Sequence, residues 1–304
     1  MKVLVIGGTG HVGSHIVPKF LAQGIQVTVL SSGRTLMPDD PAWERAQYVQ
    51  HDFSSDSLPI EIKDVFFDAV IDMLGKEHTY KVFHTQAKHI IVCGSIWMYG
   101  EPKVVPTPEQ AQTVPCPFPS YARRFDNIHR DLRNAKKQGI QFTAIMPPNI
   151  CGPGKIPLEG MGGRSLEVHR AHAAGKTVIL PEGAESLIGP CDADDIADLF
   201  VAAVTNPRTA STEILNVGSA YALTSTQFIH TIAEIYKTDI PIEYVPWEKY
   251  STEISTDIGA YWHFKAHMCP DIRKAARMLG YEPKYTPEQS MERAIRWMQT
   301  CKLI

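Results

Sequence analysis

Gly7, Gly10 and Gly13 stand three residues apart, between a short valine-rich run at 2–6 and a segment, 14–22, that reads as a helix. Glycine permits a tight turn and lets the backbone approach a pyrophosphate; the third glycine lets the helix pack closely on the sheet. The unpaired N–H groups that open the helix then face the phosphates. The chemistry is dinucleotide binding, with Gly7, Thr9, Gly10, His11, Val12 and Gly13 as candidate residues. A dinucleotide with a free adenosine 2′-hydroxyl usually meets a carboxylate after the second strand. Here that strand, 26–30, runs into Ser31-Ser32-Gly33-Arg34. The serines can donate to a 2′-phosphate, Arg34 can pair with it, and no carboxylate repels it. NADP is therefore favoured over NAD. Asp52, after a third strand at 48–50, is expected to accept from the adenine amino group or to cap a turn.

Other constellations carry weaker chemistry. His263 and His267 would share a face if helical, but they lack the acidic residue of a zinc helix, so no metal site is assigned. Their aromatic neighbours suggest a lid or substrate wall. His169 and His172 are likewise close, without acidic ligands at diagnostic spacing. Asp192, Asp194 and Asp195 precede an apolar helix, and one of them is expected to cap it. Cys151 is a candidate nucleophile without an identified histidine partner.

These residues need a scaffold. Apolar runs at 2–6, 26–30, 68–73, 89–93 and 141–146 alternate with helical segments, as in a parallel sheet covered on both faces. The proline-rich stretch 101–119 is expected to be an ordered loop, followed by a helix over 121–138. The fold class is α/β: a Rossmann-like doubly wound parallel sheet with a smaller, interleaved C-terminal substrate domain. Residues 1–150 form the core of the dinucleotide domain. Residues 151–190 and 240–270 mainly form the substrate region, 191–239 return to the first domain, and 271–304 supply C-terminal helices.

The 304 residues, 44% hydrophobic and 21% charged, are enough for two domain-sized units. The net charge of −3 gives no electrostatic reason to expect nucleic acid or an anionic membrane as a partner. The first residues lack a signal-peptide pattern, and no apolar run reaches a membrane span. Six scattered cysteines without a C-x-x-C pair fit a reducing compartment. The expectation is a cytoplasmic protein acting on a small molecule.

Further pieces fall in a telling order. Asp72-Met73-Leu74-Gly75 follows the fourth strand, and Gly94-Ser95-Ile96-Trp97-Met98-Tyr99-Gly100 the fifth. Pro147-Pro148-Asn149-Ile150-Cys151-Gly152-Pro153-Gly154, Leu215-Asn216-Val217-Gly218 and the stretch from Asp271 to Pro283 come later. Together with the glycine turn, this succession resembles the extended, here atypical, short-chain dehydrogenase/reductase family, including its NAD-dependent epimerase/dehydratase branch. The resemblance covers nearly the whole chain. It implies that Met73, Leu74, Gly75 and Pro148 line the cofactor, that Ser95 orients a substrate oxygen, and that Tyr121 is the proton donor. Tyr99 either shapes the same pocket or packs as an aromatic residue. A homodimer is compatible with the resemblance.

One position departs from the family pattern. The lysine expected four residues after Tyr121 is Phe125. Positions i and i+4 share a helix face, so a lysine there could approach both tyrosine and cofactor ribose, whereas phenylalanine offers only packing. Bringing a tyrosine from pKa about 10 to 7 requires about 4 kcal/mol of differential stabilisation. Arg124 can supply part of it as an auxiliary charge but cannot relay a proton. Carbonyl reduction, with a neutral tyrosine as acid, survives this loss better than alcohol oxidation. The expected function is an NAD(P)-dependent oxidoreductase or epimerase/dehydratase-like enzyme on a carbonyl or hydroxyl of a sugar-like or other small molecule. The alternative is a non-catalytic NAD(P)-binding regulator or sensor.

Overall fold

The computed structural model describes residues 1–112 and 115–304. Residues 113 and 114, inside the expected proline-rich loop, lie outside the described residues. The first half runs β1 (Lys2–Ile6), α1 (Gly13–Ala22), β2 (Gln26–Ser31), β3 (Gln47–Gln50), β4 (Phe67–Asp72), α2 (Thr79–Phe83), β5 (Ala87–Cys93), α3 (Pro119–Gln138) and β6 (Gln141–Met146). The second half continues with β7 (Asn149–Cys151), α4 (Leu166–Ala173), β8 (Val178–Pro181), β9 (Leu187–Ile188), β10 (Pro190–Asp192), α5 (Ala193–Thr205), α6 (Pro207–Ala210) and β11 (Glu213–Asn216). The chain ends with β12 (Leu223–Thr224), α7 (Ser225–Tyr236), β13 (Ile242–Val245), α8 (Trp247–Lys249), α9 (Ile258–Lys265), α10 (Arg273–Leu279) and α11 (Pro287–Thr300).

Seven strands form one parallel sheet in the order β11-β6-β5-β4-β1-β2-β3. The valine-rich runs suit it because both faces are covered. In β1, Val3 and Val5 join the core under α1 and α5, with Ile16, Phe20 and Phe200. Leu4 and Ile6 join the opposite core, with Phe83, Phe125 and Ile128. The strand order reverses between β1 and β4. Ligands of such sheets bind in the crevice at the carboxyl ends there.

A third core, built from Cys151, Leu158, Leu180, Phe228, Ile232, Tyr250, Phe264 and Met291, belongs to the second region. The segment 191–239 divides between the two. Helix α5 packs under the large sheet and β11 extends its edge, while α7 joins the third core. Thr224 caps α7 in a reciprocal box with Gln227. Helix α3 starts two residues before the predicted 121, because Pro119 suits a first-turn position. Among the described residues, no helix is long and apolar enough to cross a membrane.

Several polar residues are spent on architecture. Asp192 caps α5 through the Asp194 amide at 2.9 Å and pairs with Arg293 at 2.8 Å. Asp195 accepts from the backbone of Lys284 and Tyr285 at 3.0 and 3.1 Å. The Cys151 thiol is buried, points at the Ser290 carbonyl at 3.4 Å, and burial pushes it up to about 12. It is therefore no nucleophile at neutral pH. His267 does not share a helix with His263. Helix α9 stops at Lys265, and His267 Nδ1 accepts from the Leu187 amide.

Candidate active site

The glycine turn joins β1 to α1. Gly7 sits at φ +75°, in the left-handed region that favours glycine. Its amide donates to Leu30, and the Gly10 amide folds back onto Gly7. A Cβ at Gly13 would lie 2.6 Å from the Gly8 carbonyl oxygen and 2.7 Å from that of Gly7. Both are backbone atoms that cannot yield cheaply. The Gly13→Ala protein should therefore lose dinucleotide affinity by on the order of 100-fold, because the turn must open. A fluorescence titration checks this, with circular dichroism to confirm folding. Val12, at the N-cap of α1, offers the helix no side-chain acceptor. The Ser14 and His15 amides already donate to the Gly10 and Val12 carbonyls, and the amides just before them remain available to an anion.

A cleft of about 870 Å³ opens beside the turn. Gly7, Thr9, Gly10, Ser31, Ser32, Arg34, Asp52 and Leu74 all line it, brought together from four strand ends. Two pairs of its groups are already engaged. The Ser31 and Thr9 hydroxyls bond each other at 2.8 Å, and Arg34 faces Asp52 at 3.4 Å. His11 does not line this cleft. Its Nε2 reaches the Pro153 carbonyl at 2.9 Å, as does His15 Nε2 at 3.0 Å, and burial lowers its pKa to about 3. The two rings tie the turn to the loop that begins the second region.

The loop after β4 is built on one carboxylate. Asp72 is fully buried and accepts from the amides of Leu74, Gly75 and Lys76 at 2.8, 3.0 and 2.7 Å, and from the Thr79 hydroxyl. Burial raises its pKa, and these four donors oppose that rise. Sequence reasoning quoted Asp72 as part of the loop and missed the knot. The signal was an aspartate followed by Gly75 and Thr79, a pattern that lets one side chain collect donors. Met73 donates its amide to Ile6, which fixes the loop beside the glycine turn. Gly75, at φ +59°, lies directly under the Arg124 guanidinium, leaving no room for a side chain.

Ser95 follows β5 and caps a single turn, Ile96–Tyr99, by accepting from the Trp97 amide. Trp97 then gathers an aromatic wall. Its ring lies 5.2 Å from Phe118, 5.8 Å from Tyr121 and 5.0 Å from His263. Phe118 also contacts Trp262 at 6.4 Å. His263 Nδ1 faces the Ala260 carbonyl, which only accepts, so this nitrogen carries the proton. Burial lowers its pKa to about 4. The Tyr121 hydroxyl has no hydrogen-bond partner among the described residues, and partial burial raises its pKa while Arg124 opposes the rise. Arg124 Nη2 donates to the Cys93 carbonyl at 3.2 Å, with its guanidinium carbon 5.7 Å from the Tyr121 ring.

Two aromatic residues named from sequence pack into the core. Tyr99 is 1% exposed, and its hydroxyl donates to Asn216 Oδ1 at 2.7 Å. Asn216 in turn donates to Thr107 and Asp271 carbonyls, so this tyrosine belongs to a buried polar hub. Phe125 packs against Tyr99 at 5.4 Å and His129 at 4.5 Å, inside the core. Pro148 is half-buried between β6 and β7.

A model of the NAD dependent epimerase/dehydratase family matches residues 3–89 and 78–218. The chain belongs to that family. Its fold is that of family enzymes. The UDP-glucuronic acid 4-epimerase of Bacillus cereus, solved in complex with NAD, superposes with TM-score 0.76 at 16% identity, over 99% of each chain. Relatives at similar distance include the UDP-glucose 4-epimerase of Lactobacillus helveticus, 23% identical over 94% of this chain and 93% of its own. Another is the chloroplast stem-loop binding protein of 41 kDa b of Arabidopsis thaliana, 23% identical over 93% and 75%.

The preference for NADP is overturned. The family is NAD dependent, and the solved neighbour holds NAD. In the structure Arg34 faces Asp52 at 3.4 Å, so the cation assigned to a 2′-phosphate has a carboxylate beside it. Asp52 brings to the cleft a carboxylate that the residues immediately after β2 lack.

Proposed function

We propose that this chain is an NAD-dependent epimerase or dehydratase-type enzyme acting on a sugar nucleotide. The observation that carries the reading is the order of strand ends. Along β2, β1, β4 and β5 the chain presents Ser31, Gly7, Leu74 with Gly75, and then Ser95. Three strand spacings cover about 14 Å, enough for an extended dinucleotide lying from its adenosine end at β2 to its nicotinamide end at β5. The open glycine turn, the cleft beside it and the bare helix N-terminus fit NAD. When bound, NAD supplies a ring that can take up and return hydride.

The chain's own residues do the rest. Ser95 Oγ donates a hydrogen bond to the reacting substrate oxygen and so orients it. Tyr121 Oη moves the proton at that oxygen. The wall of Trp97, Phe118, Trp262 and His263 shields the exchange from water. A sugar-nucleotide substrate is the chemistry named for the epimerase relatives.

A second reading, an NAD-binding regulator without turnover, is favoured by one observation: position 125 is a core phenylalanine, so no lysine serves the tyrosine. One experiment separates the two. The purified protein is supplied with NAD and UDP-glucose or UDP-galactose, and the sugar products are resolved by chromatography. Interconversion is the expected result. NAD binding with no change in any supplied sugar nucleotide favours the regulator, and absence of NAD binding overturns both.

A further inference from the structure

We propose that Arg124 is the cation that serves Tyr121, with its guanidinium, seated between Gly75 and the Cys93 carbonyl, holding the ribose diol next to the nicotinamide and facing Tyr121 with its positive charge. The inference rests on the NAD reading and deepens it. Of the arginines Arg123, Arg124 and Arg130 on α3, two are paired with carboxylates. Arg123 pairs with Glu77 at 2.7 Å and Arg130 with Asp131 at 2.9 Å. Glu77 and Asp131 line the same recess as Arg124, so the nearby carboxylates are already taken. Arg124 has five N–H donors, and its one hydrogen bond among the described residues is to the Cys93 carbonyl at 3.2 Å.

Its seat is made for it. The Asp72 knot holds Gly75 in place, and at Gly75 any side chain would occupy the space of Arg124 Nη2. The strand ends of β4 and β5 thereby acquire one half-buried guanidinium with donors to spare. Its unused N–H groups can donate to the hydroxyl oxygens of a diol, which accept. The groups facing the Tyr121 phenol are Arg124 from α3, Cys93 from β5 and Cys116 from the segment before α3. Only the arginine is a cation. A guanidinium keeps its charge throughout the working pH range and relays no proton, so Arg124 positions and polarises while Tyr121 alone exchanges the proton.

The test uses the full chain with Arg124→Gln and Arg124→Lys. Glutamine keeps a donor for the Cys93 carbonyl and removes the charge; lysine keeps the charge. NADH affinity is read by fluorescence, and the Tyr121 phenol is titrated without cofactor by ¹³C NMR, its signal assigned by its loss in Tyr121→Phe. Arg124→Gln should weaken NADH about tenfold and raise the Tyr121 titration by about one pH unit. Arg124→Lys should recover the wild-type titration. A purely structural arginine would lower the melting temperature and leave both readouts where they were, which overturns the inference. If the wild-type chain itself fails to bind NADH, the NAD reading falls, and the ribose role falls with it. The phenol titration of Arg124→Gln then shows separately whether the charge acts on Tyr121.

Discussion

Replacing Tyr121 with phenylalanine should reduce turnover by about 10²- to 10⁴-fold and leave NADH affinity within about twofold, if Tyr121 is the proton-exchanging group of this site. The substitution removes one oxygen. It keeps the ring contacts with Trp97 at 5.8 Å and Phe118 at 5.9 Å. The hydroxyl has no partner among the described residues, so its loss leaves none of them unpaired and should cost little stability. Burial holds the phenol above its ordinary pKa. In the direction that withdraws a proton from substrate, turnover should therefore climb with pH above 7, and this climb should vanish in the variant. Steady-state kinetics from pH 7 to 10, with NADH titrations alongside, check both statements. Wild-type turnover retained by the phenylalanine protein would move the proton chemistry to another group, and His263 is the neutral base that shares the wall with Tyr121.

The glycine turn and the strand rhythm are legible from local sequence because local geometry dictates them. A glycine needed for close packing, or a valine run buried on both faces, carries its reason within a few residues. The absence of a lysine at Phe125 is legible in the same way. What escapes is compensation across the sheet. Arg34 reads as a phosphate ligand until β3 brings Asp52 beside it, a pairing set by strand order. Tyr99 follows Ser95 closely in the chain, yet the single turn at Ile96–Tyr99 sends its hydroxyl into the core to Asn216. His263 meets Trp97 only because α9 folds back over the mouth of the sheet. Arg124 shows the same limit from the other side. Its sequence neighbours Arg123 and Arg130 look equivalent to it, and only the positions of Glu77 and Asp131 single it out.

Acidification from pH 7.5 to 5 should lower the melting temperature by at least about 10 °C. Five histidines have strongly lowered pKa values with burial the leading cause at each, His11 to about 3 and His89, His169, His172 and His263 to about 4. Their unfolded value is about 6.5, so the unfolded chain binds more protons between these limits. Their contribution is therefore fully present above pH 6.5 and is lost as pH falls towards 4. At pH 5 each accounts for about 2 kcal/mol, against a total stability of about 5–15 kcal/mol. Buried Asp72 and Glu159 act in the opposite sense, since their raised values let the folded state take up protons more readily. Asp194, held low by His15 and Lys19, loses its contribution only as pH falls below the ordinary carboxylate range. The histidines of the unfolded chain take up protons from about 6.5, so this loss of stability begins ahead of that from ordinary carboxylates. His89 shows the local cost. The Thr143 hydroxyl donates to the Ala210 carbonyl, so it accepts from His89 Nε2 at 2.8 Å. His89 Nδ1 is buried without a partner, and a proton there would find no acceptor. In His89→Gln the side-chain amide can still donate to Thr143 and takes up no proton, so the loss between pH 7.5 and 5 should shrink by about a fifth. Calorimetric scans of both proteins across this range decide it, and a melting temperature that stays level in the wild type would mean that these histidines are not buried as described.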